Sequence, residues 1–229
     1  MKLSVSIMAH RARQEHAEEL QSRLDREAPI VYDPQPLPSP DPVQRWHTGR
    51  MAWEAHDPEA DWHMVIQDGA LVCDDLVSGL EKALEVLGPK GLVCAYSGTG
   101  KPDQTHIKRA IAHAREHGHS WWSSRSLCWG VAIIAPVPTI DAMLKWCSQP
   151  QRKGINYDKK IGLYYRDVKN WRSWYTNPSL VDHRDGESLV GHGTTVPGGR
   201  RAHNFHSGSA LEIDWTRVPP KGLRVPTYG

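Results

Sequence analysis

Apolar and polar positions follow one rhythm in the first half of this 229-residue chain and a looser one in the second. Leu3–Met8 is a short, β-rich apolar run that predicts a strand. Gln14–Leu24 places Ala17, Leu20 and Leu24 on one helical face with charged residues between them. Ile30–Tyr32 predicts a second strand ending at Asp33, and prolines at every second position from Pro34 to Pro42 predict an extended surface loop after it. Val43–His56 reads as a helix carrying Trp46, Arg50 and Trp53. Trp62–Ile66 is a third strand that runs into Gln67-Asp68-Gly69. Asp74 and Asp75 then open a helix with Leu76, Leu80, Ala83, Leu84 and Leu87 on one face, which Gly88-Pro89 stops. Gly91–Tyr96 is a fourth strand. Strands alternating with helices in this way predict an α/β fold, a mostly parallel sheet flanked by helices.

The second half predicts a helix over Asp103–His117 stopped by Gly118, a buried strand over Leu127–Ala135, and a helix over Thr139–Cys147 with Thr139 as N-cap. A turn and short helix beginning near Asp158 occupy Gly154–Tyr165, and Pro178–Asp185 reads as a late strand. From Val196 onward Gly, Pro, Arg and His dominate, as in a wrapping or loosely ordered tail. Neither a repeat nor a linker interrupts the chain, which predicts a single domain over 1–229 with segments 1–100, 101–196 and 197–229.

Composition narrows the partners. Lys and Arg (28) nearly cancel Asp and Glu (26), which argues against a basic nucleic-acid coat. No run approaches the roughly 20 apolar residues of a membrane span, so no membrane partner is expected. The N-terminus lacks the pattern of a secretory signal, and Cys73, Cys94, Cys128 and Cys147 form no close pair. The expectation is a soluble, reduced, cytoplasmic protein (host cytoplasm for a phage gene). Ten Trp and seven Tyr stand against a single Phe, and rings with a polar handle suit surfaces that stack on sugars or bases. For any single Trp, ordinary half-buried packing is the commoner explanation.

Ligands of open α/β sheets bind where the strand ends converge. Here those ends carry Ala9-His10-Arg11, Asp33, Gln67-Asp68 and Ser97-Gly98, with acids at two of four exits. The string Trp62–Val72, containing Gln67-Asp68-Gly69, resembles the acidic motif of GT-A glycosyltransferases. Three further echoes follow in order: Cys128–Pro136 is similar to a segment of the acceptor pocket, Asn156-Tyr157-Asp158 to the acidic start of the acceptor-side helix, and Pro178–His183 to the late strand that returns a His toward the metal. The likeness is greatest to small phage-type glycosyltransferases and more distant to the lipooligosaccharide and collagen galactosyltransferase-like group, and it spans roughly residues 1–205.

The resemblance implies a GT-A-like fold with a donor half, an acceptor half, and transfer from a nucleotide diphosphate-sugar, UDP being the expected nucleotide. A divalent cation, Mn²⁺ or Mg²⁺, would be held by Asp68 and His183, the imidazole favouring Mn²⁺. Donor contacts would come from Ala9, His10, Arg11, Asp33, Arg50, Gln67 and Asp68, with Arg50 as a phosphate clamp. Asp158 is the expected base, with Asp182 and Asp185 in reserve, and without any base a retaining route stays open. The acceptor side would use Trp121, Trp129, Gly130 and Arg201, with Trp122, Trp171, Trp174 and Arg200 beside them. A hydroxylated base in phage DNA is the first acceptor, and a protein hydroxyl or a glycan follows. One departure stands out: Gly69 occupies the place of the family's second acid, so metal binding is weak, rests on Asp68 alone, or is replaced by Arg11 or Arg50. Gly69 also keeps open a non-catalytic nucleic-acid or carbohydrate-binding module on a degenerate transferase fold.

Three signals are set aside. Gly98-Thr99-Gly100-Lys101-Pro102 fails the phosphate-loop pattern at Ala95 and at Pro102. His113 and His117 have i, i+4 spacing, with His119 just beyond, but no Glu follows the His-Glu-x-x-His pattern, and neighbouring Arg and Glu point to a solvated face. A His-rich metallohydrolase would require stoichiometric zinc. His203 and His206 lie in the basic tail, where phosphate contact is the alternative.

Overall fold

A computed structural model describes residues 1–36, 41–100, 104–184 and 200–220. Pro38, Pro40, Lys101, Pro102, Asp103, Asp185 and the segments 185–199 and 221–229 lie outside the described residues. The strands are β1 (Leu3–Ala9), β2 (Ile30–Tyr32), β3 (Trp62–Gln67), β4 (Ala70–Val72), β5 (Leu92–Cys94), β6 (Trp121–Ser124), β7 (Ala132–Pro136), β8 (Ser173–Thr176) and β9 (Val181–His183). The helices are α1 (Gln14–Arg23), α2 (Pro42–Glu54), α3 (Leu76–Leu87), α4 (Gln104–Glu116), α5 (Ile140–Cys147) and α6 (Tyr157–Asp167). No helix among the described residues is long and apolar enough to cross a membrane.

Seven strands form one sheet in the order β2-β1-β3-β7-β5-β8-β6, and β4 pairs with β9 in a separate two-stranded sheet. β2, β1 and β3 run parallel, β7 opposes both β3 and β5, β8 runs with β5, and β6 opposes β8. The expected mostly parallel α/β sheet flanked by helices is therefore present, with two strands reversed. Both reversals fall in the second half, where β6 and β8 have no counterpart in the sequence reading. The strand expected over Leu127–Ala135 begins only at Ala132, because residues 127–131 form an irregular segment over the strand ends.

Helix starts use different caps from those expected. The Thr139 hydroxyl does not cap α5; it bonds to the Pro136 carbonyl (2.7 Å) and the Tyr165 hydroxyl (2.6 Å). At α3, Asp75 makes no side-chain cap, and the carboxylate of Asp25 receives the Val77 and Ser78 N–H groups instead (2.8 and 2.9 Å). That bond ties the chain leaving α1 to the start of α3.

Helix α2 is fixed to the sheet by buried polar groups. Ser6 Oγ donates to the Ala52 carbonyl (2.8 Å), and His63 Nε2 lies 3.1 Å from the same oxygen. Burial pushes the His63 imidazole down to about 4, so it packs neutral, edge-on to Trp53. Residues 200–220 wrap the second half: Thr99 and His203 pair with Arg201 and Ser97 through backbone groups, and Trp215 packs on Trp121.

Candidate active site at the strand ends

Parallel pairing of β1 and β3 sets Met8 opposite Gln67, so the two strands end side by side. Asp68 is buried there; its N–H donates to the Met8 carbonyl (3.1 Å), and its Oδ2 receives the His10 N–H (3.0 Å). Arg13 reaches back from the turn after β1 and places Nη1 3.4 Å from Asp68 Oδ1. A groove of about 550 Å³ beside Arg13 is lined by Arg11, Ala12, Gln14, Glu15, His16 and Glu18. His10 Nδ1 accepts the Ala12 N–H (3.0 Å), which leaves the ring proton on Nε2, a buried atom with no partner. A ligand oxygen would satisfy it.

Gly69 then turns the chain into β4, which pairs with β9 so that Ala70 faces His183. Arg184 N–H donates to the Gly69 carbonyl (2.9 Å). His183 Nδ1 donates to the Arg184 carbonyl (2.7 Å), so Nε2 carries the lone pair. Burial holds this imidazole below its ordinary range, and the Arg200 and Arg13 charges act in the same direction. A Cβ added at Gly69 would sit 3.4 Å from both His183 Nε2 and Arg13 Nη1. The corner thus gathers one carboxylate, one neutral imidazole and one guanidinium around a residue without a side chain.

A second corner forms at Gly130. Gln67 N–H donates to the Val131 carbonyl (2.8 Å), and a Cβ at Gly130 would lie 3.4 Å from Gln67 Nε2, 3.4 Å from Asp158 Cβ and 3.2 Å from Tyr157 Cδ1. Tyr157 fixes the start of α6. Trp53 Nε1 donates to its hydroxyl (2.8 Å), and its ring fills the space at Gly49, where a Cβ would come within 2.5 Å of it. Asp158 Oδ1 accepts the Lys159 N–H (2.8 Å), yet desolvation holds the carboxyl above its usual range.

At the β2 edge of the sheet, Asp33 N–H donates to the Ala9 carbonyl (2.8 Å), and Arg11 lies over the Tyr32 ring at 4.3 Å. Asp33 Oδ1 is shared between the Gln35 N–H and Gln44 Nε2, both at 2.9 Å.

Several expected site residues stand elsewhere or are already committed. Arg50 is on the solvent face of α2, paired with Glu54 (2.7 Å), so the cation beside Asp68 is Arg13 rather than Arg50 or Arg11. Both oxygens of Asp182 are taken, Oδ1 by the Ala202 and His183 N–H groups (2.6 and 2.9 Å) and Oδ2 by Arg201 (3.0 Å). Asp182, the reserve base, is thus committed to other bonds, and with Arg201 it clamps the wrapping segment to β9. Trp121 is fully buried and bonded through Nε1 to the Trp215 carbonyl (3.1 Å), so it has no face for an acceptor. Trp122 is buried and stacked on Tyr175 (4.0 Å between centroids), and half-buried Trp171 stacks on Tyr165. Trp129 flanks Gly130 but packs edge-on against Tyr96 and Tyr175. The indole enrichment is core packing here.

Arg13 and Tyr157 escaped the sequence reading as site-forming residues. For Arg13 the signal was four residues between strand and helix, a turn tight enough to swing one of two arginines back over the strand end.

The sequence matches no protein-family model and no curated protein. Among solved structures, the chain is similar to a mannose-1-phosphate geranyltransferase from Thermus thermophilus, at 12% identity over 77% of this chain and 74% of that one, with a TM-score of 0.38. It is similar to a glycosyltransferase involved in glycosylation of the major capsid of PBCV-1, at 10% identity over 82% and 95%, TM-score 0.46. It is also similar to the galactosyltransferase LgtC in complex with donor and acceptor sugar analogs, at 13% identity over 85% and 97%, TM-score 0.39. Superpositions this loose carry no argument about activity, which has to rest on the site.

Proposed function

We propose that this chain is a GT-A-like glycosyltransferase that moves a sugar from a nucleotide diphosphate donor to an acceptor hydroxyl. The observation that carries the reading is that Gln67-Asp68-Gly69, at the end of β3, borders both corners: the Asp68–His183–Arg13 corner at Gly69 and the Asp158 corner at Gly130. Donor and acceptor chemistry can then meet across three consecutive residues.

The donor diphosphate lies toward Arg13, whose guanidinium balances the charge that grows on the leaving oxygen. His10 Nε2–H donates to a donor oxygen, and Tyr32 with Asp33 borders the nucleoside. Asp158 accepts the proton of the acceptor hydroxyl as its oxygen bonds to the anomeric carbon. The bond from that carbon to the diphosphate oxygen breaks, and the nucleoside diphosphate leaves with the electron pair. A single displacement of this kind inverts the anomeric centre.

A divalent cation fits the donor set, with Asp68 oxygen and the His183 Nε2 lone pair as its protein ligands, and Mn²⁺ suits the imidazole better than Mg²⁺. Bound there, it would add to the neutralisation of the leaving diphosphate. Arg13 already supplies a positive charge at the same carboxylate.

The test is a thermal-shift screen of UDP, GDP, ADP and CDP and their sugars, with and without Mn²⁺, followed by donor hydrolysis on any hit. Acceptors to be offered are DNA bearing a hydroxymethylated base, a hydroxyl-bearing peptide, and a glycan. Specific stabilisation by one nucleotide, weakened by about tenfold or more in Asp68→Ala, is expected. Silence with every nucleotide, or binding that Asp68→Ala leaves intact, overturns the reading. Binding without cleavage or transfer to any acceptor would instead identify the non-catalytic module.

A further inference from the structure

At the far edge of the sheet from Asp68, helix α4 packs against β6, four strands away from β3, a separation of about 19 Å. Three histidines gather where α4 ends. The rings of His113 and His117 are 4.1 Å apart, those of His117 and His119 5.8 Å, and those of His113 and His119 6.2 Å. One ligand atom each from His113, Glu116 and His117 lies within 4.8 Å of the others.

Two features separate this cluster from an ordinary solvated face. His113 Nε2 and His119 Nδ1 are both buried and both lack a hydrogen-bond partner, a costly state for imidazole nitrogens that a ligand would relieve. His117 Nδ1 donates to the His113 carbonyl (3.0 Å), which leaves its Nε2 lone pair free of the helix. The i, i+4 spacing of His113 and His117 puts both on one face of a rigid helix, and His119 follows a turn at Gly118 whose positive φ closes the helix over them.

We propose that His113, His117 and His119, with the Glu116 carboxylate, form a binding site for a borderline transition-metal cation, Zn²⁺ above all. Three imidazoles and one carboxylate suit Zn²⁺, Ni²⁺ or Cu²⁺ and disfavour Mg²⁺ and Ca²⁺. The site has a structural role. His119 and Ser120 hold Asn177, Asp214 and Arg217: Asn177 Nδ2 donates to the His119 carbonyl (2.7 Å), Ser120 Oγ to the Asp214 carbonyl (2.7 Å), and Ser120 N–H to the Arg217 carbonyl (2.9 Å). A cation bridging α4 to His119 would fasten the turn on which the wrapping segment rests.

The experiment is calorimetric titration of ZnCl₂ into the full, chelator-stripped chain, with the thermal midpoint followed in parallel. A Zn²⁺ that raises the midpoint and is retained in His183→Asn is expected, and MgCl₂ and CaCl₂ do not displace it. His117→Asn and Glu116→Gln alter exposed side chains and keep the fold testable; His117→Asn should weaken binding by at least about tenfold and Glu116→Gln by less. His183→Asn, at the proposed donor corner, should leave this Zn²⁺ site intact. Absence of binding at a tenfold molar excess of Zn²⁺ would overturn the proposal, as would unchanged affinity in the His117→Asn, Glu116→Gln double variant. Loss of binding in His183→Asn alone would place the ion at Asp68 and overturn it equally, without touching the glycosyltransferase reading.

Discussion

Gly69 and Gly130 lie at opposite sides of Gln67-Asp68, and the carboxylates beside them are treated in opposite ways. Asp68 is buried with company: a backbone N–H and a guanidinium both reach it. Asp158 lies near the Cys94 and Cys128 thiols, receives one N–H from its own helix start, and is left with its carboxyl raised by desolvation. A paired carboxylate is an anchor for charge. A desolvated one is poised to take a proton. In the proposed site the same residue type is given two purposes, and the difference is set by what surrounds each oxygen.

The sharpest way to break this contrast is Asp158→Asn. The proposed base then cannot accept a proton, and transfer should fall by about 10²–10⁴-fold, with donor binding unchanged by the nucleotide thermal shift. Stability should move the other way. A carboxyl raised in the fold binds more protons folded than unfolded, so its ionisation costs stability; that cost is absent in acid, grows as pH rises through the two pKa values, and is full above the raised one. At pH 7 the Asn variant should melt at or above the parent temperature, and the gap should close on acidification. Over the same window the parent's kcat/KM should fall as pH drops, with an apparent pKa above that of a free carboxyl. A lower melting temperature with activity retained would return Asp158 to a mere helix-opening residue.

Asp68→Asn probes the other member. The His10 N–H keeps an acceptor, but Arg13 loses its counter-charge in a buried place, so the variant should lose about 1–3 kcal/mol in chemical denaturation. Opposite signs for the two Asp→Asn changes at pH 7 are the signature of the contrast, and equal signs would erase it.

The sequence made some of this visible and hid the rest for physical reasons. β1, β2, β3 and α3 were legible because their apolar residues repeat with the period of the element and neighbours in sequence are neighbours in space. Asp68 could be found because a buried strand ending in an acid is a local pattern. β6 and β8 could not, since Trp-Trp-Ser-Ser and Ser-Trp-Tyr-Thr carry polar residues that are nonetheless buried between partners far along the chain. The indoles of Trp121, Trp122 and Trp171 misled for the same reason: composition counts rings without saying that they pack on Trp215, Tyr175 and Tyr165. Asp182 looked like a base because Arg201, which neutralises it, is 19 residues away. Long-range pairing decides whether a polar group is available, and no local window records it.

Gly69→Asp would push the first corner further from the second. The Cβ has ordinary contact distance to His183 and Arg13, so the change should fold. Its carboxylate would add an oxygen ligand beside the His183 Nε2 lone pair, and Mn²⁺ affinity should rise by about tenfold. Manganese titration followed by the broadening of His183 ring resonances reads this directly. Unchanged affinity would mean that Arg13, not an ion, governs the charge at Asp68.

Arg50→Ala carries the smallest expected effect and still discriminates. In the family likeness Arg50 faces the donor phosphates, whereas here it is about half exposed and bonded to Glu54 one helical turn away. An exposed i, i+4 pair is worth only a few tenths of a kcal/mol and is screened by salt. The variant should therefore keep the parent's nucleotide affinity within about twofold and its stability within about 0.5 kcal/mol. A tenfold loss of nucleotide binding would mean that α2 turns this arginine into the cleft when the donor is present. Arg13 would then share the diphosphate with a second cation, and the corner at Gly69 would extend to both sides of β1.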